Sequence, residues 1–255
     1  MNGGELQGDI RKYFRDRLSA GDEVVYRLAT STGNEIVLKT SVGHMTDDRE
    51  GMERLPENEY VADAPEGIAS MDMDELKEAV AGCERCSLGA TRTNTVFGDG
   101  NPGARIVFVG EAPGRDEDLQ GVPFVGRSGK LLDKILAAIG FTREDVFIAN
   151  ILKCRPPNNR DPQEEEVTAC EKYLARQLQL IDPVVICALG RVAGQNLLKT
   201  KKSLKVLREQ IHSYNGIRLI VTYHPAALLR NPNFKRPAWE DMKLLKKIYE
   251  EGTGD

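Results

Sequence analysis

Two groups of residues in this chain have types and spacings that can do chemistry. The first starts in "ARIVFVGEAPGRDEDLQGVPFVG", Ala104 to Gly126, where the apolar run from Ile106 to Val109 stops at Gly110 and hands over to Glu111, a Pro/Gly turn and three more acids. A short Val/Ile-rich run reads as a strand buried on both faces, and the loop after it leaves the sheet at its carboxyl end, where open α/β sheets bind ligands. Two other loops, "NILKCRPPNNR" and "YHPAALLRNP", follow later strands and share that edge. Glu111, Glu117, Asn150 and His224 are thereby placed to converge in one cleft with acid–base and hydrogen-bonding groups. Taken singly, each also has a plain reading: His224 before Pro225 suits a loop histidine, and Glu111 suits a helix-capping acid. "GEAPG" lacks the order of a dinucleotide fingerprint and "GRSGK" that of a phosphate loop, while Ser128 has no nucleophile elbow around it.

The second group is the cysteines. Cys187 lies inside "VVICALG", where a small apolar core residue is wanted. Cys83 and Cys86 form C-x2-C in a turn after a helix, and Cys154 and Cys170 flank a loop and the start of another helix. In a reducing compartment such a set points to a metal rather than to disulfides. Zinc and a [4Fe-4S] cluster both accept four thiolates, and spacing does not choose between them.

The elements that must hold these residues are legible from Asp72 onward. "IVFVG", "VFIANILK", "VVICALG" and "RLIVTYHP" read as four short buried strands, separated by the helical stretches "GRSGKLLDKILAAIG", "DPQEEEVTACEKYLARQLQLI" and "GRVAGQNLLK". "DMDELKEAVAGCERC" precedes them as an acid-started helix and "AWEDMKLLKKIYEEG" closes the chain. Alternation of this kind predicts an α/β fold, a three-layer α/β/α sandwich around a central four-stranded parallel sheet.

Residues 1–72 differ. They hold 8 basic against 15 acidic residues, net −7, whereas the remainder holds 27 against 24, net +3. Ile10, Tyr13, Phe14 and Leu18 fall on one helical face, which predicts a short amphipathic helix, a packing element or a docking helix for a partner. The stretch from Thr46 to Glu75 is acidic and aperiodic, as linkers are. We therefore divide the chain into an acidic N-terminal extension, 1–72, partly disordered, and a single domain, 73–255. Its apolar runs are strand-sized, too short to span a bilayer, and its start has no leader-like apolar stretch, so a cytoplasmic protein without a membrane partner is expected.

The block from Cys83 to about Glu250 resembles the type 4, iron-sulfur uracil-DNA glycosylases. "CERCSLGATRTNTVFGDGNPGARIVFVGEAPGRDED", "GVPFVGRSGKLLD", "NILKCRPPNNRDP" and "YHPAALLR" occur in the family's order and spacing, with the cysteines at its positions. The resemblance covers about two thirds of the chain and says nothing of residues 1–72.

The resemblance implies an enzyme that flips a deoxyuridine out of single- or double-stranded DNA and hydrolyses its N-glycosidic bond, leaving an abasic site. Phe124 matches the aromatic that stacks on uracil, Asn150 the amide that reads its edge, and His224 the histidine near O2. Glu111 matches the position that orients the attacking water, by side chain or backbone, beside Ala112, and Glu117 would crowd the C5 edge and exclude thymine. Cys83, Cys86, Cys154 and Cys170 would hold a [4Fe-4S] cluster, with zinc as the alternative, in a structural role. DNA contacts are expected from Arg127, Ser128, Gly129 and Lys130 at a helix start and from Leu229, Arg230, Lys235 and Arg236, with Leu228 shared between wedge and helix core.

No Schiff-base lysine is expected in these motifs, so the enzyme should be monofunctional, without lyase activity. It should act as a monomer, with a repair or replication partner conceivable through the extension. Two other classes compete. A non-catalytic or covalently trapping binder of uracil-containing DNA would, in its trapping form, carry Gln where this chain has Ala112 and an inserted basic loop that this chain lacks. A zinc-dependent structural protein would be colourless.

Overall fold

The computed structural model describes residues 25–29, 35–39, 67–208 and 210–254. The expected helix through Ile10 and Leu18 and most of the acidic stretch lie outside them. The chain divides into two units, Met1–Glu53 and Arg54–Asp255. The first holds a hairpin that the sequence reading did not anticipate: β1 (Val25–Ala29) and β2 (Glu35–Lys39) pair antiparallel, with Val25 opposite Lys39.

The second unit is mixed α/β. Its sheet has six strands: β3 (Asp99–Gly100), β4 (Ile106–Gly110), β5 (Phe147–Asn150), β6 (Val185–Leu189), β7 (His212–Tyr214) and β8 (Ile217–Thr222), in the order β3-β5-β4-β6-β8-β7. The expected four-stranded parallel sheet is thus corrected. β5, β4, β6 and β8 are the four parallel strands read from the sequence, and an antiparallel strand is added at each edge. Both additions are two or three residues long, too short to leave a periodic signal. β7 is joined to β8 by Asn215 and Gly216, with φ of 50° and 83°. Two successive left-handed residues make the turn whose twist suits a tight hairpin.

β4, β5 and β6 are buried along their whole length, as expected for strands covered on both faces. Alternate residues sort the core. Val107, Val109, Ala149, Ile186, Ala188, Leu219 and Val221 pack with Leu76 of α1 (Met73–Ala81), with Leu174 and Leu178 of α4 (Glu164–Ile181), and with Leu197 of α5 (Arg191–Leu197) and Leu207 of α6 (Leu204–Arg208). Phe108, Ile148, Cys187 and Ile220, which alternate with them, are also buried, as are Leu132 and Leu136 of α3 (Arg127–Ala138) and Trp239, Met242 and Leu245 of α8 (Lys235–Thr253). α8 runs along β6 and β8. Each Leu or Val so buried contributes roughly 1.5–3 kcal/mol, which fixes the strands rigidly enough to aim the loops at their ends. Two short helices complete the loops: α2 (Arg115–Gln120) after β4 and α7 (Pro225–Arg230) after β8. Among the described residues no helix is long and apolar enough to cross a membrane.

Candidate active site

Gly110 and Asn150 face each other across β4 and β5, the last paired residues before both strands turn away. The pairing runs on into the loops, with the Ile151 amide donating to the Gly110 carbonyl at 3.0 Å and the Leu152 amide to the Glu111 carbonyl at 3.1 Å. Here the loops after β4, β5 and β8 enclose a cleft of about 290 Å³ lined by Glu111, Ala112, Glu117, Phe124, Ser128, Asn150, Asn159, Arg160, His224 and Arg230, among others. The four polar residues expected to converge do so.

Asn150 is buried, and among the described residues its side-chain Oδ1 has no hydrogen-bond partner. A buried polar atom without a partner is costly and rare, so an acceptor kept unpaired in a cleft points to a ligand's N–H. Gly110 makes room for it: a Cβ there would fall 2.3 Å from Asn150 Oδ1 and 2.7 Å from the Phe124 ring.

Phe124 is buried and has φ of 53°, a region that bulky residues avoid. Three groups hold it there. Glu117, buried rather than forming a surface salt bridge, accepts from the amides of Val125 and Gly126 at 2.9 and 3.0 Å through Oε1. Arg143 donates to the Pro123 carbonyl at 3.0 Å and to the Phe124 carbonyl, while its Nε pairs with Asp133 at 2.7 Å. Gly129, in the first turn of α3, lets the backbone pass: a Cβ there would lie 1.6 Å from the Phe124 carbonyl oxygen.

His224 caps α7, its Nδ1 accepting from the Ala226 amide at 3.1 Å. That bond leaves the proton on Nε2, a donor for the cleft. Burial, with Arg230 nearby, lowers its pKa to about 4, so the imidazole is neutral at pH 7. Its ring stacks on Phe124, centroids 5.4 Å apart. Glu111 goes the other way: burial and the charge of Asp161 raise its pKa to about 7, against the pull of Arg191. Asp161 and Arg191 themselves pair at 2.7 Å.

Of the remaining expected contacts, Ser128 and Arg230 line the cleft. Arg127, Lys130, Leu229, Arg230 and Arg236 are exposed and Lys235 is partly so, whereas Gly129 and Leu228 are buried.

The cysteines converge elsewhere. Cys83, Cys86, Cys154 and Cys170 line one small cavity of about 20 Å³ with Arg92, Lys153 and Tyr173. All four are free thiols, and burial pushes the Cys170 thiol up to about 12. Arg92 donates to Cys154 Sγ at 3.6 Å and the Lys153 amide to Cys170 Sγ at 3.2 Å. Cationic and N–H donors turned toward sulfur fit a thiolate-bound group carrying net negative charge. Among the described residues no three Cys, His, Asp or Glu side chains form a group that could hold a metal ion directly.

The profile of the Uracil DNA glycosylase superfamily matches residues 97–243. The chain belongs to that superfamily. Among its relatives, the type-4 uracil-DNA glycosylase of Archaeoglobus fulgidus is 47% identical over 184 residues, which span 69% of this chain and 92% of the relative. Those of Sulfurisphaera tokodaii and Saccharolobus solfataricus are 45% and 44% identical, spanning 69% of this chain and 84% and 86% of the relatives. Within this uracil-DNA glycosylase framework, Cys83 and Cys86 precede the superfamily match while Cys154 and Cys170 fall inside it.

Sequence reasoning missed several members of the site. Asn159, with φ of 52°, and Arg160, which holds Glu166 at 2.6 and 2.9 Å, belong to the loop after β5 and line the cleft. Asn158 and Asn159 after two prolines were the readable signal of a tight loop there. Arg143 lies far away in sequence and gives none. Lys153 in "NILKC" was also passed over: its Nζ donates to the Asn150 carbonyl at 3.0 Å and to Gln177 Oε1 at 2.7 Å.

Proposed function

We propose that this chain is a monofunctional uracil-DNA glycosylase of base-excision repair, hydrolysing the N-glycosidic bond of deoxyuridine in DNA to give free uracil and an abasic site. The observation that carries the reading is Asn150 Oδ1, an unpaired acceptor beside an aromatic ring and a neutral histidine, in a chain of this superfamily. The target base leaves the stack to reach the cleft. It lies against Phe124, and Asn150 offers Oδ1 to N3–H and its NH2 to O4, a pattern that cytosine reverses. The bond from C1′ to N1 breaks with its electron pair going to uracil, and His224 Nε2–H stabilises the charge at O2 without giving up its proton. Glu111, as carboxylate, orients a water toward the cationic C1′ and takes a proton as the new C–O bond forms. Uracil then acquires a proton from solvent. No lysine is among the described residues lining the cleft, and Lys153 is turned into the core, which supports hydrolysis without strand cleavage.

Glu117 holds the loop that keeps Phe124 in place for stacking and, lining the cleft, crowds the C5 edge so that thymine is excluded. Exposed Arg127, Lys130, Leu229 and Arg230, with Lys235 and Arg236, form the DNA-facing surface, so binding weakens with salt. Cys83, Cys86, Cys154 and Cys170 would hold a [4Fe-4S] cluster, with zinc as the alternative; the reading is supported by four thiols around one cavity with Arg92 and the Lys153 amide turned toward sulfur. When bound, the cluster supplies a staple between the segment before β3 and the loop after β5. The domain of residues 73–255 functions as a cytoplasmic monomer, and residues 1–72 are dispensable for the chemistry. The test is release of uracil from an oligonucleotide bearing one uracil, by the full chain and by a chain lacking residues 1–70. Alkali-dependent cleavage at uracil by both is expected, and activity lost on truncation overturns the dispensability of the extension.

A further inference from the structure

Among the described residues nothing holds the Asn150 Oδ1, so the aim of that side chain is set by its main chain. We propose that Lys153 is the positioning residue that fixes that main chain and joins it to the cysteine site. The inference rests on the reading of Asn150 as the residue that recognises uracil.

Lys153 is 1% exposed, and each of its polar groups is used. Nζ donates to the Asn150 carbonyl at 3.0 Å and to Gln177 Oε1 at 2.7 Å, and Gln177 Nε2 donates onward to the Phe97 carbonyl at 3.0 Å. The Lys153 amide donates to Cys170 Sγ at 3.2 Å, and its carbonyl accepts from the Val96 amide at 2.7 Å. Its side-chain acceptors are neutral amide oxygens. Methionine would fill similar space without the cost of burying an ammonium, so what the lysine adds is its hydrogen bonds.

Those bonds run in one direction of consequence. Asn150 is held on one side by β4 and on the other by Nζ, so its main chain is fixed at the rim of the cleft that its side chain lines. Cys170 is one residue away through the Lys153 amide, so a shift of that sulfur reaches the Asn150 carbonyl through a single side chain. A group bound by the four cysteines would thereby set how firmly uracil is read while taking no part in the reaction.

The experiment is Lys153→Met in the full chain, with iron and acid-labile sulfide content measured beside kcat and KM on a single-uracil oligonucleotide. Expected are wild-type metal content, a KM raised about tenfold as a charged hydrogen bond is lost, and a kcat changed much less. Unchanged KM in a metal-replete variant overturns the proposal. So does loss of the metal, which would make Lys153 a residue for ligand assembly. Should the variant fail to fold, Gln177→Leu, which removes the second acceptor of Nζ, decides: a raised KM supports the proposal and an unchanged one overturns it. Wild-type protein that releases no uracil sinks the reading of Asn150 and this proposal with it, whereas active wild type with normal K153M sinks this proposal alone.

Discussion

Phe124 and His224 stack in the cleft with ring centroids 5.4 Å apart and planes inclined by 30°. The imidazole is thus fixed twice, by the Ala226 amide on Nδ1 and by the aromatic face. Phe124→Leu removes a stacking surface for the base and loosens His224 together. Base–aromatic stacking contributes roughly 1–3 kcal/mol, so kcat/KM should fall about 10- to 100-fold while the melting temperature shifts little. Steady-state kinetics beside thermal melting check this.

The two titrating groups of the site move in opposite directions, which fixes the shape of the pH profile. Glu111 must be ionised to orient water, and its pKa is about 7; His224 must be neutral, and its pKa is about 4. Activity should therefore fall with decreasing pH below about 7, and Glu111→Gln should flatten that limb as well as lower kcat. A stability signature accompanies it. Glu111 ionises near its ordinary value when unfolded and only near 7 when folded, so its stability cost develops between those values and persists above them. E111Q should raise the melting temperature at pH 8 and leave it unchanged at pH 4.

Gly110→Ala should separate site from fold. The new Cβ would meet Asn150 Oδ1 at 2.3 Å and the Phe124 ring at 2.7 Å, and both side chains must yield. Overpacking of this kind costs about 1–3 kcal/mol in stability, leaving a folded protein whose uracil release drops by at least about 100-fold. Circular dichroism and single-turnover kinetics on the same preparation check it.

Arg143→Met should act at a distance. It frees the carbonyls of Pro123 and Phe124 and removes the Arg143 partner of Asp133, leaving Glu117 alone to oppose relaxation of the left-handed Phe124 backbone. A KM rise of about tenfold is expected. Arg143→Lys, with one donor group in place of a fork, should restore only part of it.

Cys154→Ala should lower soluble yield and remove visible absorbance, because metal binding of this kind contributes directly to folding. Anaerobic chelation of wild-type protein should lower its melting temperature in the same direction. A colourless, well-folded and fully active variant contradicts the assignment of the cluster.

How much of this was legible in the sequence follows from how local each signal is. The parallel strands announced themselves as apolar runs, and the loops at their ends brought Glu111, Asn150 and His224 to one edge. β3 and β7 were too short to show a period. The support around the site was invisible because it is non-local: Arg143 reaches Phe124 across 19 residues and Lys153 reaches Gln177 across 24. Glu117 was placed in the cleft by its loop, but its hold on the bared amides of Val125 and Gly126, which explains its burial, left no signal in the sequence. Leu228 and Leu229 were indistinguishable by type, and the helix turn buried the first and exposed the second.

Uracil recognition by Asn150 is tested by a glycosylase assay on purified full-length protein with paired oligonucleotides that differ only in carrying uracil or cytosine at one position. Free uracil and an alkali-labile site are expected from the first, no product from the second, and loss of that discrimination when Asn150 is replaced by Asp. Binding of the uracil strand without release of the base, or equal attack on cytosine, would contradict it.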